Sequence, residues 1–159
     1  MIDFKASPRM SGPELIITPA THRDAVAILA LLAQSRLPTS DLVSSRPEFL
    51  VAHARGELVG IGAIESLGAA GLLRSVVVIP SRRKSGLGRD IVLRLERQAR
   101  ESGMRELILL TETARPFFEH LGYEVIDRSA APAAVQASAE FTSLCPQSAV
   151  CMRKPLGPD

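Results

Sequence analysis

Aromatic residues are scarce in this chain. Its 159 residues include no tryptophan, one tyrosine and five phenylalanines. Proteins that bind single-stranded nucleic acids stack the bases on aromatic side chains. The net charge is only +2, and no long basic run offers a surface for phosphate backbones. The sequence therefore predicts no nucleic-acid partner.

Long apolar runs are also missing. No stretch contains enough consecutive apolar residues to span a bilayer, and the N-terminal residues lack the apolar core of a signal peptide. We therefore expect a soluble, cytoplasmic protein without a membrane partner.

Cysteine is rare as well, with Cys145 and Cys151 the only two. A cytoplasmic compartment disfavours a disulfide between them. Their spacing fits no common zinc pattern and no histidine lies near them in sequence, so we predict no metal ion. Two interpretations stay open: buried thiols that only pack, or a pair of ligands for a soft metalloid.

The composition is that of a globular protein, with 46% hydrophobic and 23% charged residues. The length suits one domain. Residues 1–13 show no periodicity and contain Pro8, Gly12 and Pro13, so we expect a disordered N-terminal tail. Met10 is an alternative start of the native chain. Residues 14–156 are predicted to form the single domain.

Hydrophobic periodicity over residues 14–156 predicts alternating strands and helices, which indicates an α/β (α+β) domain with a central mixed sheet. Thr21 and Asp24 have the spacing of a capping box at a helix start. Residues 55–57 are predicted as a three-residue hairpin loop, and residues 66–71 as a connector. Strands are predicted at 14–18, 49–54, 58–65, 72–79, 106–111, 123–127 and 148–152. Helices are predicted at 25–34, after Gly88, at 113–121 and from Pro132.

The stretch from Leu72 to Gly88 carries the most information about function. Its β-branched run from Val76 to Ile79 is typical of a buried strand, which Pro80 ends. A basic, glycine-containing loop follows, and then an amphipathic helix. Strand, glycine-rich loop and helix in this order form a binding site for a phosphate group, because backbone N–H groups point out of a helix start. The alternative is a helix start whose glycines only allow close packing.

The loop reads R-x-x-G-x-G from Arg83 to Gly88, after a strand that ends Val78-Ile79-Pro80. This pattern resembles the acyl-CoA pyrophosphate loop of the GNAT N-acetyltransferase superfamily. The resemblance implies acetyl-CoA as cofactor, a small amine as acceptor and a homodimer. It also implies a sheet of six to seven strands, with splayed fourth and fifth strands, flanked by about four helices.

A second GNAT signature lies between Thr111 and Tyr123, with matches at Ala114, Gly122 and Tyr123. Phe118 stands where the family commonly has a catalytic tyrosine that protonates the leaving thiolate. Tyr123 falls at a packing position, and His120 is expected to be solvated. Several further stretches, including LPTSDL, LVGIGAIE and the tail from Ala133 to Leu156, together cover most of residues 15–156 and look most like the arsenic-resistance acetyltransferases of bacterial arsenic operons. The chain also resembles the acetyltransferase domain of N-acetylglutamate synthases.

The resemblance assigns the cofactor site to Val76, Val77, Val78, Arg83, Lys84, Ser85, Gly86, Leu87, Gly88, Arg89, Thr111, Phe117 and Phe118. Leu72 occupies the position of the family's usual glutamate base. Strand alternation puts Arg74 on the same face, so we expect Arg74 to bind a carboxylate or oxyanion of the acceptor. The alternative is a surface or structural arginine at the start of a strand. The remaining candidates for catalysis are Glu65 as base, or a water held by Ser75 or Thr113. Residues 37–43 are expected either to line the acceptor site or to serve as a plain connector.

These features predict an N-acetyltransferase that acts on a small amino-acid-like amine. The resemblance to the arsenic-resistance group implies an arsenical or phosphinic analogue of glutamate as acceptor. Three alternatives stay open. They are acetylation of glutamate itself, a non-catalytic acyl-CoA sensor, and a trivalent-arsenic binder that uses Cys145 and Cys151.

Overall fold

A computed structural model describes residues 14–157. The predicted tail at 1–13 lies outside the described residues. Seven strands form one sheet in the order β1-β2-β3-β4-β5-β7-β6. Their bounds are β1 Leu15–Pro19, β2 Glu48–Ala54, β3 Glu57–Leu67, β4 Ala70–Val78, β5 Glu106–Thr111, β6 Glu124–Ile126 and β7 Val150–Pro155. All neighbouring pairs are antiparallel except β4 and β5, which are parallel. The predicted mixed sheet is confirmed.

Five α-helices accompany the sheet. They are α1 Ala25–Gln34, α2 Leu42–Ser45, α3 Leu87–Glu101, α4 Arg115–His120 and α5 Ala133–Gln136. A π-helical turn at Glu140–Leu144 precedes β7. The sequence did not predict α2 or this turn, because each is only four or five residues long. No helix within residues 14–157 is long and apolar enough to cross a membrane.

The parallel pair β4 and β5 separates after three residues. Its ladder joins Ala70, Gly71 and Leu72 to residues 106–108, although β4 continues to Val78 and β5 to Thr111. Antiparallel partners β3 and β7 hold the outer edges of the two strands. The predicted splay is therefore present, and it opens a cleft at the C-terminal ends of both strands.

A β-bulge changes the direction of β4 at the point where the cleft begins. Ala63 pairs with Arg74 and Ile61 with Val77, so β4 contains one residue more than β3 between these pairs. Ser75 takes the extra place, with a left-handed φ of 60°. Because one inserted residue reverses the alternation of side chains, Leu73 and Val76 both pack toward α3. Leu72 and Val77 lie on the other face of the sheet.

Helix α3 packs closely over the sheet, and two glycines of β3 permit the approach. A Cβ at Gly62 would lie 2.7 Å from Ile91 Cγ2 and 2.9 Å from Leu95 Cδ1. The opposite face is covered by α1 near Ile61 and by the C-terminal segment near Ile108. Both faces of the central sheet are therefore covered, and the cleft lies between two of its strands.

Several predicted boundaries were wrong by a few residues. The β2–β3 loop has two residues, Arg55 and Gly56, both with positive φ, as type I′ hairpins require. Residues 66–71 mostly extend β3 and β4 and leave a two-residue turn. β7 continues to Pro155, because pairing with β5 holds it beyond the apolar run. The capping box is confirmed, since Thr21 N–H donates to Asp24 Oδ2 at 2.8 Å.

Candidate functional site

A cleft of about 550 Å³ lies between the splayed ends of β4 and β5 and extends to the start of α3. The last three residues of β4 form one side, and the aromatic residues of α4 form the other. Four cationic residues lie at its basic end. The lining consists of Ser35, Leu37, Val76, Val77, Val78, Arg82, Arg83, Lys84, Gly86, Gly88, Arg89, Thr113, Ala114, Phe117 and Phe118.

The start of α3 presents hydrogen-bond donors to this cleft. The first intrahelical bond runs from Asp90 N–H to the Gly86 carbonyl at 3.0 Å, and no side chain among residues 14–157 caps the helix. The N–H groups of Leu87, Gly88 and Arg89 therefore have no partner in the helix. Gly86 has a φ of 89°, which glycine adopts without strain. These donors, with the cations Arg82, Arg83, Lys84 and Arg89, fit a pyrophosphate.

Most of the predicted cofactor residues line the cleft, and three do not. Ser85 donates its hydroxyl to the Arg82 carbonyl within the loop. The Leu87 side chain is buried in the core, so only its backbone faces the helix start. Thr111 Oγ1 accepts a hydrogen bond from Ala114 N–H at 3.0 Å and lies in the neighbouring cavity.

A second cavity of about 410 Å³ adjoins the cleft. The two share Ser35, Leu37, Val76, Thr113, Ala114 and Phe118. We call the second cavity the acceptor chamber, after the role proposed for it below. Its other lining residues are Arg36, Pro38, Leu73, Arg74, Ser75, Leu109, Leu110, Thr111, Glu112, Leu144, Cys145, Pro146 and Ala149.

One wall of the chamber is fixed by the end of α1. Leu37 N–H donates to the Leu32 carbonyl at 3.0 Å, and Arg36 N–H donates to the Ala33 carbonyl at 3.1 Å. These two bonds form a Schellman motif, in which the residue after the cap is left-handed. Arg36 occupies that place, with a φ of 58°. These bonds fix the backbone at the end of α1. Residues 37–43 were expected either to line the acceptor site or to serve as a connector, and of these residues Leu37 and Pro38 line the chamber.

Hydroxyl groups surround the junction of the cleft and the chamber. Ser35 and Thr113 line both cavities. Ser75 lines the chamber, and its buried Oγ has no hydrogen-bond partner among the described residues. Phe118 is buried at the junction and supplies no hydroxyl. Tyr123 lines neither cavity: its hydroxyl donates to Glu96 Oε2 at 2.9 Å, and burial followed by the Glu96 charge raises its pKa.

Arg74 lies at the centre of a buried ion cluster. Its Nη1 and Nη2 donate to the two Asp41 carboxylate oxygens at 2.6 and 2.7 Å. Nη1 also donates to Glu65 Oε1 at 3.2 Å. Arg74 Nε lies 3.2 Å from Glu140 Oε2 and forms an ion pair with it, but this contact does not have the geometry of a hydrogen bond. The side-chain exposure is 0% for Arg74 and at most 8% for its partners.

The cluster contains three carboxyl groups for one guanidinium, and the direction of the pKa shift is not the same for all three. The hydrogen bonds from Arg74 lower the pKa of Asp41. Burial raises the pKa of Glu65 and of Glu140, and the Arg74 charge only partly offsets it. Burial also opposes the charge of Arg74, but hydrogen bonding to Asp41 and the surrounding negative charges raise its pKa overall. Of the three carboxyl groups, Asp41 is therefore the one whose charged form Arg74 favours most.

The cluster corrects two predicted roles. Arg74 was expected to bind a carboxylate of the acceptor, but Asp41 already occupies its guanidinium. Glu65 was expected as a base, but it is buried against Arg74 and is not among the chamber's lining residues. Asp41 and Glu140 were not predicted, because each meets Arg74 only through the tertiary fold.

The two cysteines lie in different surroundings. Cys145 lines the acceptor chamber, whereas Cys151 is buried beside Ile108. Burial, together with the Glu140 charge, raises the pKa of Cys145 to about 12, and burial raises that of Cys151 to about 11. Metal binding requires the thiolate form. Among residues 14–157 no group of three or more His, Cys, Asp or Glu side chains could hold a metal ion.

Comparison with known proteins agrees with this geometry. The acetyltransferase (GNAT) domain family matches residues 45–125. An uncharacterised N-acetyltransferase of Chlorobaculum tepidum is 31% identical over 86 residues, which are 54% of this chain and 55% of that protein. An IAA acetyltransferase of Azospirillum brasilense is 38% identical over 65 residues, 40% of this chain and 42% of that protein. The chain thus spans about half the length of the curated relatives it matches.

Solved structures extend the similarity to nearly the whole chain. A Mycobacterium tuberculosis protein crystallised with CoA has a TM-score of 0.77 and 26% identity, over 89% of this chain and 99% of that one. The N-acetylglutamate synthase of Neisseria gonorrhoeae, crystallised with coenzyme A and N-acetyl-glutamate, also has a TM-score of 0.77. Its identity is 18%, over 90% of this chain and 35% of that one, so it supports the fold alone. From the family match and the splayed β4–β5 sheet, we conclude that the chain belongs to the GNAT acetyltransferase family.

Proposed function

We propose that the chain is an N-acetyltransferase that uses acetyl-CoA to acetylate the amine of a small, amino-acid-like acceptor. The observation that carries this proposal is the junction of two cavities at the splay of β4 and β5. One cavity ends at the basic start of α3, and the other adjoins it and shares six lining residues with it. An acyl donor and an acceptor would meet at this junction.

The residues of the cleft fit coenzyme A. The free N–H groups of Leu87, Gly88 and Arg89 would bind its pyrophosphate, together with Lys84 and Arg89 side chains. Past Leu72, no strand of the described sheet lies beside the inner edge of β4. Backbone groups of residues 76–78 would therefore bind the pantetheine arm. The bound cofactor supplies the acetyl thioester.

The junction residues would serve the transfer step. In that step the acceptor nitrogen forms a bond to the acetyl carbon, the carbon–sulfur bond breaks, and the nitrogen loses a proton. Thr113, like Phe118, lines both cavities, so we assign to its Oγ1 the hydrogen bond to the leaving sulfur. Glu112, exposed at the chamber rim, would take the nitrogen's proton through water.

An amino-acid-like acceptor suits a small chamber of this volume. The gonococcal synthase, which shares this fold, was crystallised with N-acetyl-glutamate. We retain an arsenical or phosphinic analogue of glutamate as a candidate acceptor, on the sequence resemblance described above, and glutamate itself as the alternative.

A thiol-release assay tests the proposal. Purified protein is incubated with acetyl-CoA and, one at a time, amino acids and their arsenic and phosphorus analogues, and products are identified by mass spectrometry. We expect thiol release together with a product 42 Da heavier than one of the acceptors, the mass of an added acetyl group. A Thr113→Ala variant should lower kcat with little change in the Kd of CoA. Thr142→Ala, on the π-helical turn outside both cavities, is the matched control.

The same assay separates the remaining alternatives. CoA binding without transfer to any acceptor would contradict an enzyme and favour an acyl-CoA sensor. Tight arsenite binding that a Cys145→Ser/Cys151→Ser variant abolishes would favour a trivalent-arsenic binder. We expect weak arsenite binding that this variant leaves unchanged, because the two thiols lie in different surroundings, Cys145 at the chamber and Cys151 beside Ile108.

The proposal also includes a homodimer that works in the cytoplasm. Light scattering coupled to size-exclusion chromatography should give twice the 17.1 kDa mass of one chain. A single-chain mass would contradict the dimer without affecting the proposed reaction.

A further inference from the structure

Arg36 is an unusual residue for its backbone position. It follows the cap of α1 in a Schellman motif, with a φ of 58°. This left-handed place favours glycine, because a Cβ crowds the backbone there. Such outliers concentrate at functional sites. The motif also fixes the Arg36 backbone, so its side chain starts from a rigid point at the rim of the acceptor chamber.

Arg36 is also the cation that the chamber can offer to a ligand. The charged residues that line the chamber are Arg36, Arg74 and Glu112. Asp41 occupies the guanidinium of Arg74 with two hydrogen bonds. Arg36 is exposed, and its guanidinium has neither an ion pair nor a hydrogen bond within the described part of the chain. An anionic group in the chamber therefore has one available guanidinium.

We propose that Arg36 binds the α-carboxylate of the acceptor and thereby selects zwitterionic amino acids over simple amines. This inference rests on the proposed function. A guanidinium binds a carboxylate through two parallel N–H bonds, which fix the orientation of the bound molecule as well as its charge. Glu112 at the same rim supplies the opposite charge for the ammonium group. The unpartnered Ser75 hydroxyl, next to Val76 at the junction, offers a further hydrogen bond to the amine.

The cofactor does not account for Arg36. Ser35 and Leu37 line both cavities, whereas Arg36 lines the acceptor chamber alone. The pyrophosphate end of the cleft has its own cations at residues 82–84 and 89. The effect of removing Arg36 should therefore fall on the acceptor and not on CoA.

Arg36→Gly is the decisive variant, because glycine is the residue that this backbone position prefers. Removing the side chain should leave the melting temperature unchanged or higher. Arg46→Gly is the matched control: Arg46 is also exposed and left-handed, with a φ of 49° at the end of α2, and lines none of the cavities described here. Each protein is assayed with free L-amino acids and with their α-amides, which keep the amine and lose the carboxylate.

We expect Arg36→Gly to raise the KM of the preferred free amino acid roughly 10- to 100-fold, the effect of a lost charge-assisted hydrogen bond. The KM of the matching α-amide and the Kd of CoA should stay within about twofold, as should all values for Arg46→Gly. An equal effect on amino acid and amide would overturn the inference, as would no effect on either.

Calorimetry on the CoA-loaded protein keeps the inference separate from the proposed reaction. Carboxylate-dependent binding that Arg36→Gly abolishes, without acetyl transfer, would support Arg36 and contradict the enzyme. Transfer to α-amides in preference to free amino acids would support the enzyme and overturn the role of Arg36. Native protein that neither binds nor acetylates any free amino acid would also overturn it.

Discussion

Replacing Arg74 should destabilise the protein strongly, and replacing its three carboxyl partners one at a time should have unequal effects. Arg74→Met keeps most of the side-chain volume but leaves Asp41, Glu65 and Glu140 buried without a cation. Breaking a buried ion pair by removing one partner costs about 3–5 kcal/mol, because the other charge stays uncompensated. For a domain of this size, each kcal/mol corresponds to a melting-temperature change of about 2–4 °C. We therefore expect Arg74→Met to lower the melting temperature by roughly 10 °C.

The three carboxyl groups should respond differently to neutral replacement. Asp41→Asn removes the ionised partner of Arg74 and should cost about 2 kcal/mol or more. Glu65→Gln and Glu140→Gln remove groups that burial already disfavours as anions, so near neutral pH they should be neutral or stabilising. Urea unfolding at pH 7.5 measures all four free energies. Equal losses for Asp41→Asn and Glu140→Gln, or a loss below about 1 kcal/mol for Arg74→Met, would refute this division of the cluster.

Three further predictions follow from other parts of the structure. Gly62→Ala should lower the free energy of unfolding by about 1–3 kcal/mol, because the new Cβ would overlap Ile91 and Leu95; Gly157→Ala, with open space around it, is the control. Lys84→Gln and Arg89→Gln should each raise the Kd of CoA about tenfold, less at high salt, whereas Arg97→Gln on the same helix should not. The pKa values of Glu65 and Glu140 are raised in the folded state, which therefore binds more protons than the unfolded state. The stabilisation that this gives should be lost as pH rises above the ordinary glutamate pKa of about 4.3. A Glu65→Gln/Glu140→Gln protein whose unfolding free energy decreases with pH as much as that of the native protein would contradict this prediction.

The sequence predicted those parts of the candidate site whose residues are neighbours along the chain. The loop at residues 83–88 and the helix after it are contiguous, and their glycines and cations indicate an anion site. The ion cluster could not be predicted in this way. Arg74 and Asp41 are 33 residues apart in sequence, and only the packing of the loop before α2 brings them together.

Backbone conformation explains the other failures. Strand alternation correctly predicted that Arg74 and Leu72 lie on one face of the sheet. The β-bulge at Ser75 was missed, because serine is not a residue type that indicates a bulge. Arg36 was overlooked because glycine is the usual signal for a left-handed helix end, and an arginine there carries no such signal. Positions that break a local rule are where sequence-based reasoning is expected to miss function.

Hydrogen exchange with and without CoA tests most directly the central claim that the β4–β5 cleft is the cofactor site. We predict that CoA slows exchange of the amides at 76–78 and 87–89, while the edge strand Glu124–Ile126 is unaffected. Protection confined to other parts of the chain, with none at the start of α3, would contradict the assignment.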